Sequence, residues 1–498
     1  MHSFTNHPWP DVFDPLPITR REQVEGWARM HRASSYVWRP TRVDEVRDVL
    51  ALARYHNQSV VLRGGGHSYA DAALNTEGIT VSLSQMRRVL AWDPQQGIIR
   101  VEPGMTIGDL WRATVADGWW PEIAPSTMEA TIAGCLAMNV HGTNAWEKGS
   151  MGEQVLALDL LLASGNLITV TPAHDPDLFQ ALIGGLGMIG IIISITLRLR
   201  PIQSGKLLVH QRPARSLSDM FTIILEETPA ADYLEGWIDG YSDNHGLGRG
   251  LVRYANLIDE PDPHSLHLRS QASQSKAGII PFTILGWAAR PFLNIGNRIS
   301  NTIRYTRGVL RGSRRTERIS LAQFLFHSDT QYRALHALLP LGFRSIQPFI
   351  PAEHALAVFI ELLERSHQAG IRSAWCILKR CRSGLFLLSP KVDGFSLELN
   401  FPATIRNASK LAMLLAEMRE TVIAAGGHLY LAKDDILDSE TYAQSMGMDR
   451  IERFLAIKHA YDPEGLFQSD LFRRLFARRI QGGLEVLKEK RESDFLLE

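Results

Sequence analysis

The sequence predicts an α+β chain folded as two packed lobes, and three observations carry that prediction. At 498 residues, 45% hydrophobic and 21% charged, the chain is too long for one core and has ordinary globular composition. Up to Arg200-Pro201, short strand-like runs alternate around two stretches of small residues, Gly64-Gly65-Gly66 and Thr131-Ile132-Ala133-Gly134. Beyond that point, strand-like runs are followed by amphipathic helical ones, the pattern of helices laid on one sheet. The expected division is a first lobe over 16–202 and a second over 203–427.

In the first lobe, Ser35-Tyr36-Val37-Trp38 reads as a strand and Arg42 to His56 as a helix. That helix carries Val43, Val46, Val49, Leu50 and Leu52 at mostly helical spacing. Val60-Val61-Leu62 is a branched aliphatic strand that stops at three consecutive glycines. Short strands follow at 79–83, 89–92 and 97–102, then a helix from Ile107 to Asp117, entered after Pro103-Gly104 and capped by Thr106. Two strands within 155–170 flank the Ser164-Gly165-Asn166 turn, 176–183 is a short helix, and Ile189 to Leu199 a long buried strand.

The second lobe has strand-like runs at Lys206–His210, Tyr233–Ile238, Gly250–Tyr254, Arg344–Ile350, Ser373–Leu378 and Ser396–Phe401. Helical runs lie at 215–227, 328–339, 351–369 and 407–425, with a further helix around Arg450 to His459.

Three glycines in a row let the backbone turn with positive φ and approach a ligand closely. Their N–H groups can form a concave nest that suits a pyrophosphate. A bare glycine turn would explain the first stretch alone. The second stretch, Pro125-Ser126-Thr127-Met128-Glu129-Ala130-Thr131-Ile132-Ala133-Gly134-Cys135 with Asn139-Val140-His141-Gly142-Thr143-Asn144, adds a surface where a flat cofactor could rest. Gly185-Leu186-Gly187-Met188-Ile189-Gly190 spells a dinucleotide fingerprint, but a helix precedes it and a strand follows. The fingerprint needs the opposite order, so a Rossmann site is rejected in favour of a backbone edge beside the cofactor.

Arg-Gly-Gly-Gly-His-Ser-Tyr at 63–69, Pro-Gly-Met-Thr-Ile-Gly-Asp-Leu at 103–110, Thr-Ile-Ala-Gly-Cys at 131–135 and Val-His-Gly-Thr-Asn at 140–144 resemble the vanillyl-alcohol-oxidase (PCMH) type of FAD-binding domain. The likeness continues through Asp159–Gly165 and ends at Tyr461-Asp462-Pro463-Glu464-Gly465-Leu466-Phe467. It implies FAD, with the diphosphate over Gly64–Ser68 and Thr131–Gly134. The cofactor contacts it implies are Arg63, Gly64, Gly65, Gly66, His67, Ser68, Tyr69, Pro125, Ser126, Thr131, Gly134, Asn139, His141, Gly142, Ile192 and Tyr430. It also implies that the chain returns to the FAD lobe over 428–480, leaving a tail over 481–498, and that the second lobe is a substrate cap.

Ile346-Gln347-Pro348-Phe349-Ile350-Pro351, Leu385–Pro390 and Gly426-Gly427-His428-Leu429-Tyr430-Leu431-Ala432-Lys433-Asp434 look like the decaprenylphosphoryl-ribose oxidases. That resemblance implies oxidation of a secondary alcohol on a sugar or polyprenyl-phosphate-linked sugar, with Lys433 handling the hydroxyl and Gln347 orienting the sugar beside Tyr69 and His141. A short-chain reductase partner would act on the keto product. Two departures stand out: Thr143 replaces a lysine, and Glu398 replaces a cysteine. Glu398 shares one strand face with Ser396 and Asn400, which fits either an active-site carboxylate or a solvent edge. Position 67 divides the relatives further: the ribose oxidases carry Arg there, while aldonolactone and alditol oxidases carry a histidine bonded to the flavin. His67 therefore leaves open a soluble alditol or aldonolactone oxidase with linked FAD, and some proteins of this fold reduce C=C bonds instead. A flavin-bearing membrane-interaction protein with no turnover is the reading outside the enzymes.

The composition narrows the partners. Lys plus Arg and Asp plus Glu are 53 each, so no global field draws the chain to nucleic acid. Three cysteines, Cys135, Cys376 and Cys381, form neither a disulfide framework nor a zinc set, so no metal is expected. The N-terminus lacks a signal peptide pattern, which sets the expectation of a cytoplasmic protein. Ala277 to Ala289 is thirteen residues without a charge, too short to span a bilayer. Arg290 to Arg318 then holds eight arginines against Glu317. Apolar anchors beside arginines suit an interfacial segment on anionic lipid, which would make 277–318 a peripheral contact on the inner face of the membrane. A packed cap helix or a basic loop would use the same residues.

Overall fold

The computed structural model describes residues 16–243, 246–267, 293–312, 316–327 and 341–476, with 329, 336 and 339 besides. Most of the expected helix over 328–339, the apolar run 277–289 and the tail 481–498 lie outside the described residues. The fold is α+β, as the alternation of elements requires.

The first lobe holds two principal sheets. In one, Arg21–Glu25 pairs antiparallel with Arg32–Trp38, which runs parallel to Ile79–Ser82, itself parallel to Val60–Arg63. In the other, the order is Val89–Asp93, Ile98–Val101, Ile191–Arg198, Val155–Leu161 and Leu167–Val170, antiparallel throughout. Ile191–Arg198 is central, and its first five residues are all buried, so its sequence runs aliphatic without alternation. The helix Val43–Tyr55 packs Val46, Val49 and Leu50 into a core with Val60, Ile79 and Ile193. The helix expected over 107–117 runs as Ile107–Thr114, then tightens into a 3-10 turn. Thr106 caps it, its hydroxyl accepting from the Asp109 N–H at 3.0 Å.

The second lobe is one sheet of nine strands among the described residues. Its order is Glu317–Ser320, Lys206–Ala214, Gly250–Leu257, Tyr233–Ile238, Trp375–Cys381, Gly394–Pro402, Pro348–Pro351 and His428–Leu429, with Phe343–Ile346 also paired to Gly394–Pro402. Helices Leu217–Glu227, Ala352–Gln368 and Ala408–Ala424 contribute their apolar faces to the same core as this sheet. The single strand expected over 344–350 is two strands broken at Gln347, because Pro348 has no N–H to continue a ladder. The Gln347 carbonyl accepts from the Tyr430 N–H instead, at 3.1 Å.

Two connections bring distant sequence to the glycine loop. Val60 donates to the Leu466 carbonyl at 2.8 Å and accepts from Gln468 at 2.9 Å. Tyr69 donates to the Ala432 carbonyl at 2.7 Å. The Tyr461–Phe467 motif owes its residue choice to a buried ion pair: Lys458 Nζ lies 2.6 Å from Asp462 Oδ2, which also accepts from the Phe467 N–H. The segment at 185–190 lies between the helix Pro176–Leu182 and the strand Ile191–Arg198, with Gly184, Leu186 and Gly187 left-handed. That order is wrong for a Rossmann turn.

Candidate active site

The strand Val60–Arg63 delivers the three glycines against Thr131. A Cβ on Gly64 would lie 2.0 Å from Thr131 Oγ1, and one on Gly65 would lie 2.5 Å from the Glu129 carbonyl oxygen. Gly66 has φ +72°, a conformation that suits glycine. Thr131 is fixed in turn as the cap of Ile132–Ala137, its hydroxyl accepting from the Gly134 N–H at 3.3 Å. The two small-residue stretches therefore pack against each other and together line one cleft. Gly64, Gly65, Gly66, His67, Ser68, Tyr69, Pro125, Ser126, Thr131, Gly134, His141 and Tyr430 line it, with Leu186 from the 185–190 edge.

The second lobe closes the cleft with Gln347, Lys379 and Glu398, and Lys433 joins them from the returning segment that follows the strand His428–Leu429. Lys433 Nζ stands 2.5 Å from Glu398 Oε2 and 4.8 Å from the centre of the Tyr69 ring. Glu398 Oε1 accepts from the Tyr69 hydroxyl at 3.3 Å and from the Asn400 amide at 3.0 Å. Gln347 Nε2 donates to Ser396 Oγ at 2.8 Å and lies 3.2 Å from His141 Nε2. Period two along Gly394–Pro402 thus puts Ser396, Glu398 and Asn400 on the cleft face, and the solvent-edge reading of Glu398 falls, since it is buried.

Electrostatics follow from burial and this pairing. Burial pushes the Lys433 ammonium down, and Glu398 offsets that only in part. Burial pushes the Glu398 carboxyl up, but Lys433 and Asn400 outweigh it and hold it below the usual carboxylate range. Complete burial, reinforced by the nearby lysines, keeps His141 neutral, its pKa well below the usual value. Its Nδ1 has no hydrogen-bond partner among the described residues, and neither does Gln347 Oε1. Burial also lowers the His67 pKa, favouring the neutral imidazole.

Four expected cofactor residues do not line the cleft. The Arg63 guanidinium folds beneath the loop, donating to the Glu25 and Ala73 carbonyls and lying against Gly66. Ile192 is a buried strand residue, and Gly142 faces Asn144 and the Ala124 carbonyl. Asn139 sits at φ +47° with both amide atoms buried and unpartnered among the described residues. Lys379 was missed. Its signal was a lysine on the otherwise apolar run Trp375–Leu378, directly opposite Ser396 in the register.

The residues present fit a flavin dinucleotide. Bare glycine backbone faces the cap of a second small-residue stretch, and unpartnered buried polar atoms of His141 and Gln347 belong to residues lining the space between. Residues 34–171 match the family described as an FAD binding domain. The chain is an FAD-dependent oxidoreductase. It is 27% identical over 92% of its length to decaprenylphosphoryl-beta-D-ribose oxidase of Mycolicibacterium smegmatis, covering 98% of that protein. It is also 34% identical to mouse L-gulonolactone oxidase, over 36% of this chain and 40% of that one. With D-arabinono-1,4-lactone oxidase of Yarrowia lipolytica it shares 25% identity over 45% of this chain and 41% of the other. These proteins are named oxidases.

Proposed function

We propose that this oxidoreductase removes hydride from a secondary alcohol of a sugar, carried on a polyprenyl phosphate. The observation that carries the reading is the Lys433–Glu398 pair, buried at 2.5 Å in a cleft whose other wall is the glycine loop. Bound FAD supplies the hydride acceptor, at N5. The alcohol carbon loses hydride while its oxygen loses a proton, and the C–O single bond becomes a carbonyl. Lys433 takes that proton: burial favours its neutral amine, and Glu398 holds the ammonium once it forms. Gln347, fixed through Ser396 and His141, orients the sugar, and Tyr69 backs the lysine with its ring. Similarity over nearly the whole chain to an oxidase of a polyprenyl-phosphate sugar supports that substrate class.

Substrate of this kind brings a lipid, so the reading includes a peripheral contact with the inner face of the membrane through 277–318. A short-chain reductase that consumes the ketone belongs to the same reading. No helix among the described residues is long and apolar enough to cross a membrane. A second reading, oxidation of a soluble aldonolactone with FAD bonded to His67, is favoured by the position of His67 in the cleft as a neutral imidazole. Anaerobic addition of a polyprenyl-phosphate pentose, an aldonolactone and a reduced nicotinamide in turn separates the readings. Bleaching by the first alone supports the proposal; bleaching only by the lactone or only by the nicotinamide rejects it.

A further inference from the structure

A second cavity, sharing no lining residue with the flavin cleft, lies between the helix Leu293–Arg311 and the edge half of the cap sheet. Its walls include Val209, Leu251, Ile299 and Ile303, and four arginines, Arg253, Arg304, Arg307 and Arg311. Glu317 is the one carboxylate among its described lining residues. Neighbouring arginines are matched to acids: Arg249 to Asp239, Arg298 to Asp243 and Arg318 to Glu260. Arg304 is not. Its guanidinium lies 4.1 Å from the centre of the Trp237 ring, and no carboxylate forms an ion pair with it among the described residues. Glu235, the nearest acid by interaction, already serves Arg253 at 3.7 Å and His327 at 3.6 Å. Burial pushes the Arg304 pKa down to about 10, a cost that an anion in the groove would relieve.

The apolar part of the same helix points to what carries that anion. Ile295, Ile299 and Ile303 recur every fourth residue and are 59%, 55% and 44% exposed, and Leu310 is 80% exposed. Ile299 and Ile303 are both exposed and part of the groove wall. A free phosphate would leave this stripe in water; an amphiphile covers it. Gly308 lets the helix press onto the sheet, since a Cβ there would meet Leu251 at 2.3 Å, whereas Gly296 has open space.

We infer that this groove seats the phosphate headgroup of an anionic membrane lipid, with its acyl chain along Ile299 and Ile303. The inference rests on the membrane contact proposed above and gives it a site. Orientation follows from the sheet register. Glu398 is opposite Ile377, Ile377 opposite Trp237, and Trp237 opposite Leu251, so all four share one face. At about 4.8 Å per strand, the groove floor lies roughly 14 Å from the Glu398 row. A bilayer bound at the groove therefore lies on the sheet face that carries the catalytic pair, as delivery of a lipid-borne sugar demands.

The test is co-sedimentation of the full-length holoprotein with phosphatidylglycerol–phosphatidylcholine vesicles and with phosphatidylcholine alone. Arg307→Glu with Arg311→Glu, both exposed positions, should weaken binding to anionic vesicles on the order of tenfold or more. Arg304→Gln should weaken it too, with thermal melting of each variant excluding a folding defect. Wild-type binding by the double variant, or equal binding to neutral vesicles, overturns the inference. Displacement by inorganic phosphate at the same phosphate concentration as the lipid would assign the groove to a free anion and also overturn it. Flavin reduction by sugar, followed in the same variants, keeps failure of the lipid site distinct from failure of the alcohol-oxidase reading.

Discussion

Lys433 can act as a base only when neutral, and its burial puts that form within reach below the usual lysine value of 10.5. Flavin reduction by substrate should therefore rise with pH and level off below 10.5. Lys433→Arg should abolish the rise, because a guanidinium stays protonated across that range. Glu398 raises the Lys433 pKa, so Glu398→Gln should move the midpoint of the pH–rate profile to lower pH while leaving turnover. If Glu398 is itself the base, the same variant loses the reaction, and a pH profile of anaerobic reduction decides between them. His67 poses a separate question at this scale. Acid precipitation should leave the yellow colour in the supernatant if the cofactor is unlinked; a yellow pellet that turns colourless in His67→Ala establishes the bond.

Among the elements, the glycine loop is the one whose sequence dictates its geometry most tightly. Gly64→Ala would place a methyl 2.0 Å from Thr131 Oγ1, and overpacking of this kind costs about 1–3 kcal/mol. The expected outcome is lower flavin content at purification together with a lower melting temperature; full flavin content at the wild-type melting temperature would mean the loop has slack. Most elements of the first lobe were legible because each carries its own signal: the aliphatic run at 191–198, the Thr106 cap, the strand that stops at glycine. In the second lobe six strand-like runs were legible, but not the short edge strands Glu317–Ser320 and His428–Leu429, nor the break in the ladder at Gln347. That break depends on Pro348 and on Tyr430 reaching across from a distant segment, a tertiary contact with no local trace. Arg63 misled for a related reason. It sits within the motif, yet its side chain supports the turn from below by bonding to the Glu25 and Ala73 carbonyls.

The molecule as a whole is tied together by the return of its C-terminal segment. Lys458 is buried against Asp462 and the Met188 and Phe467 carbonyls, and the chain beyond pairs with Val60 at the root of the glycine loop. Asp462→Ala would strand a buried ammonium, a loss of about 3–5 kcal/mol, read by urea unfolding and accompanied by loss of flavin. An unfolding midpoint unchanged from wild type would show that the pair is dispensable. The convergence of Tyr69, His141, Gln347, Glu398 and Lys433 from both lobes was suggested by resemblance and not by any periodicity, since cleft formation joins residues up to 364 positions apart, from 69 to 433. Lys379 escaped because a lone lysine in a strand looks like an edge residue until its neighbours are known. The central claim, that the Lys433–Glu398 pair removes the alcohol proton while the flavin accepts hydride, is tested most directly by anaerobic stopped-flow reduction of Lys433→Ala. The account predicts a flavin content and spectrum like the wild type and reduction by substrate slower on the order of a hundredfold or more; reduction at the wild-type rate would contradict it.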